Sequence, residues 1–481
     1  MQGHSGSAAA RGATRRWSSG RCAYFALVAS LSAACGQSSA GHSVGHFPSY
    51  YPDEIRIEVL DPNDAAKGLI GKSLHAYIGA NPSFTEPLPA HVRAVNSLGS
   101  FLVLSLKTEL PRFASREARC AAVHDFLAVM RKQETAPFVF HPYPVTPFHT
   151  DYLHHLDLVQ ASRGAVAKHS SPETSVKISV KGPVPDAVVP QDLQAPIGSA
   201  EALLESIPVK TLVGYDDVLV TNWPGPPWIH EGWFQAHRLL APHPDPAIRD
   251  LADQSFERLI RGEYLGLAER ANIERALVSD LTGACKRQVV GYSIDREYLN
   301  EANPEGIENV AFDSINGLNS PVFVRTAKLK DYPWNGKLHI GVSKAAKAAW
   351  NPVTGFTDPV GRLMWSAIGD PAMISFPFNG SWMANRVQSE VTRVEGQSGG
   401  IRVPGDAPLP QAGTGKLHPV GARTFGSVRI VYEVLASPFD DGTEMDVADL
   451  LYANMFPIAG EHGRHRQQLR AAAEAGLGHP K

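Results

Sequence analysis

Long apolar runs are missing from this sequence beyond its first forty residues. No later segment reaches the eighteen or so consecutive apolar residues that a membrane-crossing helix needs. The mature chain is therefore expected to be soluble. A strong charge of either sign is missing too: 45 Lys and Arg face 48 Asp and Glu, for a formal charge of -3. No basic run gathers anywhere, so nucleic acid is not an expected partner, because phosphate binding needs clustered cations. The four cysteines contain no CxxC pair. That excludes covalent haem attachment and a structural cysteine zinc site. Phosphate- and dinucleotide-binding glycine loops and the HExxH pair are absent. Gly291-Tyr292-Ser293-Ile294-Asp295 lacks the second glycine of a nucleophile elbow, and its serine reads as part of a strand. Asp216-Asp217 and Asp440-Asp441 read as turn residues and give no basis for glycosidase chemistry. No cofactor is expected, and the balance leans away from an enzyme.

What is present begins with an export signal. Arg11, Arg15, Arg16 and Arg21 precede the apolar stretch AYFALVASLSAA at 23–34. Twelve apolar residues are too few to span a bilayer but suit a leader. Leu31-Ser32-Ala33-Ala34-Cys35 resembles a bacterial lipoprotein cleavage box, with Ser32 where leucine is usual. Cys35 is thus the candidate lipidation residue, and plain secretion with cleavage near Ala34 is the alternative. Thr14-Arg15-Arg16-Trp17 also resembles a twin-arginine signal. Residues 1–35 are read as a signal peptide. The expected location is the periplasm or cell envelope, with membrane contact only through a lipid anchor. Removing residues 1–34 takes away four arginines and no acid, moving the formal charge from -3 to -7. Cys120 and Cys285 remain, and in an oxidising compartment they form one disulfide or stay as two separate buried thiols.

The expected class is α/β of the mixed α+β kind, without the regular βαβ repeat of a doubly wound sheet. Residues 46–161 read as an N-terminal α+β domain, with strands at 55–60, 74–79, 100–106 and 137–141. A helix capped by Ser115 runs to about Lys132, and a second starts at Thr150 or Asp151. Stretches 162–199 and 394–424, rich in Ser, Pro and Gly, read as linkers. Between them, 200–393 reads as a central aromatic-rich α/β domain. Its expected elements are a strand within 211–223, helices from Pro246 to about Leu281, and short strands at 287–294, 309–314, 322–329 and 338–343. Residues 425–481 begin with a strand at 427–437 and turn at Asp441-Gly442. A helix follows, with Asp446 as N-cap and Asp449 near its positive end. One strand and one helix cannot bury a core alone. This unit either docks on the rest or is a truncated lobe.

Two stretches carry chemistry-bearing side chains. HPYPVTPFHTDYLHHLD (141–157) holds four histidines and two aspartates. Were a metal held, the ligands would be His149, Asp151 and His155. On a regular helix, however, His154 and His155 point about 100° apart, and the stretch also reads as a polar loop entering an amphipathic helix; no metal is expected. TNWPGPPWIHEGWFQAHRLL (221–240) crowds Trp223, Trp228, Trp233 and Phe234 around His230 and Glu231. Flat aromatic faces suit sugars, cations and peptides, with His or Glu fixing orientation. These six residues are the candidate ligand contacts. The same tryptophans would serve equally to pin a long loop onto the core.

Asp441-Gly442-Thr443-Glu444-Met445-Asp446-Val447-Ala448-Asp449-Leu450-Leu451-Tyr452 resembles the DGTPLTAEDVVYS stretch of the peptide- and nickel-binding family of extracellular solute-binding proteins. The resemblance implies a two-lobed architecture of the periplasmic-binding type, and no ligand residue is carried over, since the stretch is structural in the family. It also implies a solute or peptide as partner and a membrane permease of an ABC-type transporter. In that family a much longer sequence follows; here about thirty residues do. The expected function is therefore binding of a small solute or peptide in the envelope. Two alternatives stand beside it: a secreted hydrolase drawing on His141, His149, Asp151, His154, His230 and Glu231, and a non-catalytic envelope scaffold.

Overall fold

A computed structural model describes residues 48–85, 87–133, 137–168, 176–184, 188–213, 227–241, 246–347, 356, 358–369, 371–376, 381–393, 400–411, 416–439 and 441–450. The expected signal peptide, Cys35 and Trp223 lie outside these residues. The chain divides into two compact units. In one of them, Asp441 Oδ1 accepts from the Thr443 backbone N–H (2.9 Å) and hydroxyl (2.7 Å).

The other unit, Pro48–Ser437 with Glu444–Lys481, is built on one mixed sheet. Its strands are β1 (Pro52–Val59), β2 (Ala76–Ile78), β3 (Val92–Leu106), β4 (Phe138–Phe140), β5 (Ile178–Lys181), β6 (Ala202–Pro208), β7 (Arg287–Asn300) and β8 (Gly336–Val342). The order is β1-β8-β2-β7-β3-β6-β5, with β4 also paired to β7. β1, β8 and β2 run parallel, as do β6 and β5, while the central β2-β7-β3-β6 pairings are antiparallel. Side chains alternate between sheet faces along a strand, and both faces of β3 are buried. Phe101 and Val103 enter one core, which also contains Trp233 and Leu277; Leu102 and Leu104 enter a second with Phe126 and Val290. A central strand covered on both sides needs this uninterrupted apolar run.

Helices cover both faces: α1 (Pro62–Ile70), α2 (Arg116–Met130), α3 (Leu156–Lys168), α4 (Gly232–Leu240), α5 (Pro246–Arg261) and α6 (Leu267–Gly283). Ser115 caps α2 as expected, accepting from Ala118 N at 3.1 Å. Cys120 on α2 is bonded to Cys285, just before β7, with Cα atoms 5.1 Å apart.

Several elements depart from the sequence expectation. Residues 162–199 do not separate two domains: they contain most of α3 and β5, and strands on either side share one sheet. Residues 322–329 do not form one strand. Ser320 accepts from Phe323 N, and Pro321 at the first helical position fixes φ, so Pro321–Thr326 coils into a short helix despite its β-branched residues. Residues 309–314 form a loop closed by Asp313, whose Oδ1 accepts from Ile315 N and Asn316 N. Of 211–223, only 211–213 are described, and Val209–Leu212 is a helical turn. Near the end, Asp446 Oδ1 accepts from Ala448 N (2.6 Å) while Asp449 Oδ2 accepts from Asp446 N (2.9 Å), a reciprocal cap. No helix among the described residues is long and apolar enough to cross a membrane.

Candidate functional site

The two stretches singled out by composition meet. After β4, prolines carry the chain through 142–147, and local hydrogen bonds engage both ring nitrogens of His141 and His149. His141 donates from Nε2 to Val145 O (2.8 Å) and its Nδ1 accepts from Arg163 (3.3 Å). His149 Nδ1 accepts from Thr146 N (2.8 Å). Its Nε2 then carries the proton and donates to Gln235 Oε1 (2.9 Å) on α4. Asp151 reaches the same helix. Its Oδ1 accepts from Gly232 N (2.7 Å) and its Oδ2 from Trp233 N (3.1 Å). A carboxylate 81 residues away in sequence thus caps α4, because Glu231, at the N-cap position, is engaged elsewhere.

Glu231 is buried, accepting from the Trp233 indole N–H and paired with Arg270 on α6. One turn further along α6, Glu274 is fully buried. Arg270 Nε lies 2.7 Å from Glu274 Oε1, off the hydrogen-bond direction, so this oxygen has no hydrogen-bond partner. His154 Nδ1 lies 2.9 Å from Glu274 Oε2. Tyr152–His155 is a tight 3-10 turn rather than the first turn of a regular helix. His155 is buried, with Nδ1 3.1 Å from the Tyr143 hydroxyl; its Nε2 lies 3.8 Å from Asp151 Oδ2 and has no hydrogen-bond partner. Asp151, His155 and Glu274 each bring one potential ligand atom within 4.8 Å of the others. Of the sequence-derived ligand trio, Asp151 and His155 are here and His149 is engaged with Gln235. Glu274 was missed, because its partners lie more than a hundred residues away.

Burial drives the electrostatics. It raises the Asp151 carboxyl to about 7, with nearby Glu231 and Glu274 adding to the effect. Burial likewise raises Glu231 against the pull of Arg270. It lowers His141 and His155 to about 4 and His149 to about 3. Away from the site, burial lowers His75 to about 4 and raises Glu297 to about 7.

These shifts predict an acid-side loss of stability. A histidine whose proton affinity falls on folding destabilises the folded chain as pH drops below the unfolded value near 6.5. A carboxyl whose affinity rises acts oppositely, favouring the folded chain as pH falls from about 7. Each histidine costs roughly 2 kcal/mol between pH 6.5 and 5, and each carboxyl returns slightly more. The four histidines outweigh the three raised carboxyls, so stability is greatest near pH 7 and falls toward pH 5. Denaturant unfolding across pH 5–8 checks this: Glu297→Gln should steepen the acid-side loss and His149→Asn should flatten it. Unchanged slopes in both variants would contradict the assignment.

Above this polar layer lies a cleft of about 410 Å³. Phe148, Tyr152 and Phe312 line it, together with His149, Thr150 and Ser314. Of the aromatic residues expected to contact ligand, Trp228, Trp233 and Phe234 do not line it. Trp233 is buried, edge-on to Phe234 (6.0 Å) and Phe256 (5.7 Å), while Trp228 and Phe234 pack partly buried against the core. His230 is buried, with Nδ1 3.5 Å from Ser314 Oγ and Nε2 3.3 Å from Asp313 Oδ2. Its carbonyl accepts from Thr150 N (3.1 Å), tying the two stretches together.

No family model matches the sequence, and no curated protein matches it either. Solved structures similar to the chain include several described as periplasmic or oligopeptide-binding proteins. They include the PBP AgaA from A. tumefaciens R10 in complex with agropinic acid, at 12% identity, covering 56% of this chain and 59% of that one, with TM-score 0.31. The oligopeptide-binding protein AppA from Bacillus subtilis, in complex with a nonapeptide, is 9% identical, covering 56% and 59%, with TM-score 0.30. A nickel ABC transporter structure from Bacillus halodurans is 12% identical, covering 52% and 58%, with TM-score 0.32. The match spans between half and three-fifths of the length of these structures.

Proposed function

We propose that the chain is an exported solute-binding protein of the cell envelope, holding a small solute or short peptide for an ABC-type transporter. The observation that carries this reading is the aromatic cleft at 148–152 and 312–314, whose histidine is already committed. His149 has both ring nitrogens hydrogen-bonded and is held neutral by burial, so it fixes the shape of the cleft floor and supplies no proton. Phe148, Tyr152 and Phe312 offer flat faces, and Thr150 and Ser314 offer hydroxyls, the mixture of apolar walls and few polar groups that suits a small ligand. His230, Glu231, Trp228, Trp233 and Phe234 form the supporting layer behind it, and Trp223 precedes them in the same stretch. In this reading the partner is a membrane permease, and Cys35 is the lipid attachment point.

A hydrolase reading is favoured by one observation. Ser314, His230 and Asp313 stand in serine, base and acid order, at 3.5 and 3.3 Å. One experiment separates the two. Native mass spectrometry of the protein with pools of two- to five-residue peptides should show a 1:1 complex without turnover. Phe148→Ala and Tyr152→Ala should each weaken it by about tenfold, the scale of one buried aromatic contact. Peptide cleavage, or labelling of Ser314 by a fluorophosphonate that Ser314→Ala abolishes, would replace binding with hydrolysis.

A further inference from the structure

The polar layer beneath the cleft has a charge imbalance that the binding reading does not use. Asp151, Glu231 and Glu274 are all buried, and the guanidinium of Arg270 is the one fixed cation among them. His154 approaches Glu274 from the rim with its side chain 45% exposed, and Arg275 is committed to Asp157 through two 2.7 Å hydrogen bonds. If all three carboxylates are ionised, one guanidinium leaves two negative charges unmatched, and buried charge without a partner is strongly unfavourable. The second observation is His155 Nε2, fully buried, without a hydrogen-bond partner, and 3.8 Å from Asp151 Oδ2.

We propose that Asp151, His155 and Glu274 bind a divalent transition cation of the zinc class, beneath the cleft and independently of what the cleft holds. The donor set of one imidazole and two carboxylates suits zinc, which takes His nitrogen at about 2.0–2.1 Å and carboxylate oxygen at about 2.0–2.2 Å. Ligand atoms around such an ion lie roughly 3.3–3.5 Å apart. The three donors, all within 4.8 Å of each other, reach that spacing by closing on the order of 1 Å. The Tyr143 oxygen, 3.1 Å from His155 Nδ1, can accept that nitrogen's proton and so present Nε2 as a bare donor, the outer-sphere role common at metal-bound histidines. Gly232 N holds Asp151 Oδ1 and Arg270 flanks Glu274, which fixes the orientation of both carboxylates. A cation here adds the two missing charges and ties the 151–155 turn to α6, immediately below the cleft wall at Tyr152.

The test uses the full chain stripped with a chelator and titrated with Zn2+ alone, read by calorimetry and by thermal melting. One equivalent should bind and raise the melting temperature, with Mg2+ and Ca2+ giving no comparable effect. His155→Gln, which removes no charge, and Glu274→Gln should each weaken Zn2+ binding by about 100-fold or more, beyond the tenfold to 100-fold typical of outer-sphere changes. X-ray absorption at the zinc edge of the unaltered protein needs no variant to fold, and should show one imidazole among oxygen ligands. Absence of stoichiometric uptake, a spectrum with two or more imidazoles, or folded variants that keep full affinity (zinc held elsewhere, as by His339 and Glu58 at the sheet edge) would each overturn the proposal.

Discussion

Arg270→Met is expected to destabilise the folded chain by about 3–5 kcal/mol, the cost of breaking a buried ion pair from one side. Its two partners make the effect large. The side chains of Glu231 and Glu274 are 3% and 0% exposed, so neither can regain water when the guanidinium is removed. Methionine replaces the aliphatic stem and leaves the charge as the main loss, along with the guanidinium's place 5.9 Å over the Tyr264 ring. Removing the acids together with the cation should restore most of the stability. The triple variant Arg270→Met/Glu231→Gln/Glu274→Gln keeps an acceptor for the Trp233 indole and leaves neither glutamate charge stranded. Urea unfolding in a chelator, monitored by tryptophan fluorescence, measures both variants free of any bound cation. A loss below about 1 kcal/mol for Arg270→Met would mean that the cluster is solvated and that the charge argument fails.

The sequence periodicities located most strands and helices, because those signals are local. Ser115 announced α2, and the apolar run at 100–106 announced β3, whose full extent to Val92 depends on pairing with β7. β5 was hidden because its Ser- and Pro-rich surroundings resemble a linker, and its pairing with β6 is a long-range fact. The site was half legible. Residue types alone marked 141–157 and 221–240, but the bonds joining Asp151 to Gly232 and His149 to Gln235 cross more than eighty residues. The assumption of a regular helix also set His154 and His155 about 100° apart. The real 3-10 turn over Tyr152–His155 follows from Asp151 facing α4 instead of capping its own helix. Phe148 and Tyr152 drew no notice as ligand contacts because the tryptophans nearby were the stronger aromatic signal. Of those described, Trp233 went into the core and Trp228 packs against it, where their large apolar area is best used.

Loss of the Cys120–Cys285 bond should be the other large effect. The two residues are 165 apart in sequence, and closing so long a loop removes chain entropy worth about 5 kcal/mol in the loop-closure model, within a measured range of about 2–5 for native disulfides. The effect should reside mainly in the unfolded state, because the same junction is also held without the bond. Arg119 donates to the carbonyls of Phe113 (3.1 Å), Ala114 (3.0 Å) and Ala284 (3.2 Å), and Arg116 donates to Gly283 O (2.7 Å). Alanine is the replacement to use. Cys285 has φ +51°, and alanine carries the same left-handed strain that cysteine already bears, whereas glycine would relieve it and mask part of the loss. The double variant Cys120→Ala/Cys285→Ala is therefore expected to keep the near-UV circular dichroism of the folded chain while its urea midpoint falls by an amount equivalent to about 3–5 kcal/mol. The parent protein in excess reductant should match it. Equal midpoints for oxidised and reduced protein would show that the unfolded chain is already compact across this loop, leaving the bond little entropy to remove. A loss of the expected size would also bear on location: a fold that depends this strongly on a disulfide persists in an oxidising compartment, where an export signal would deliver it.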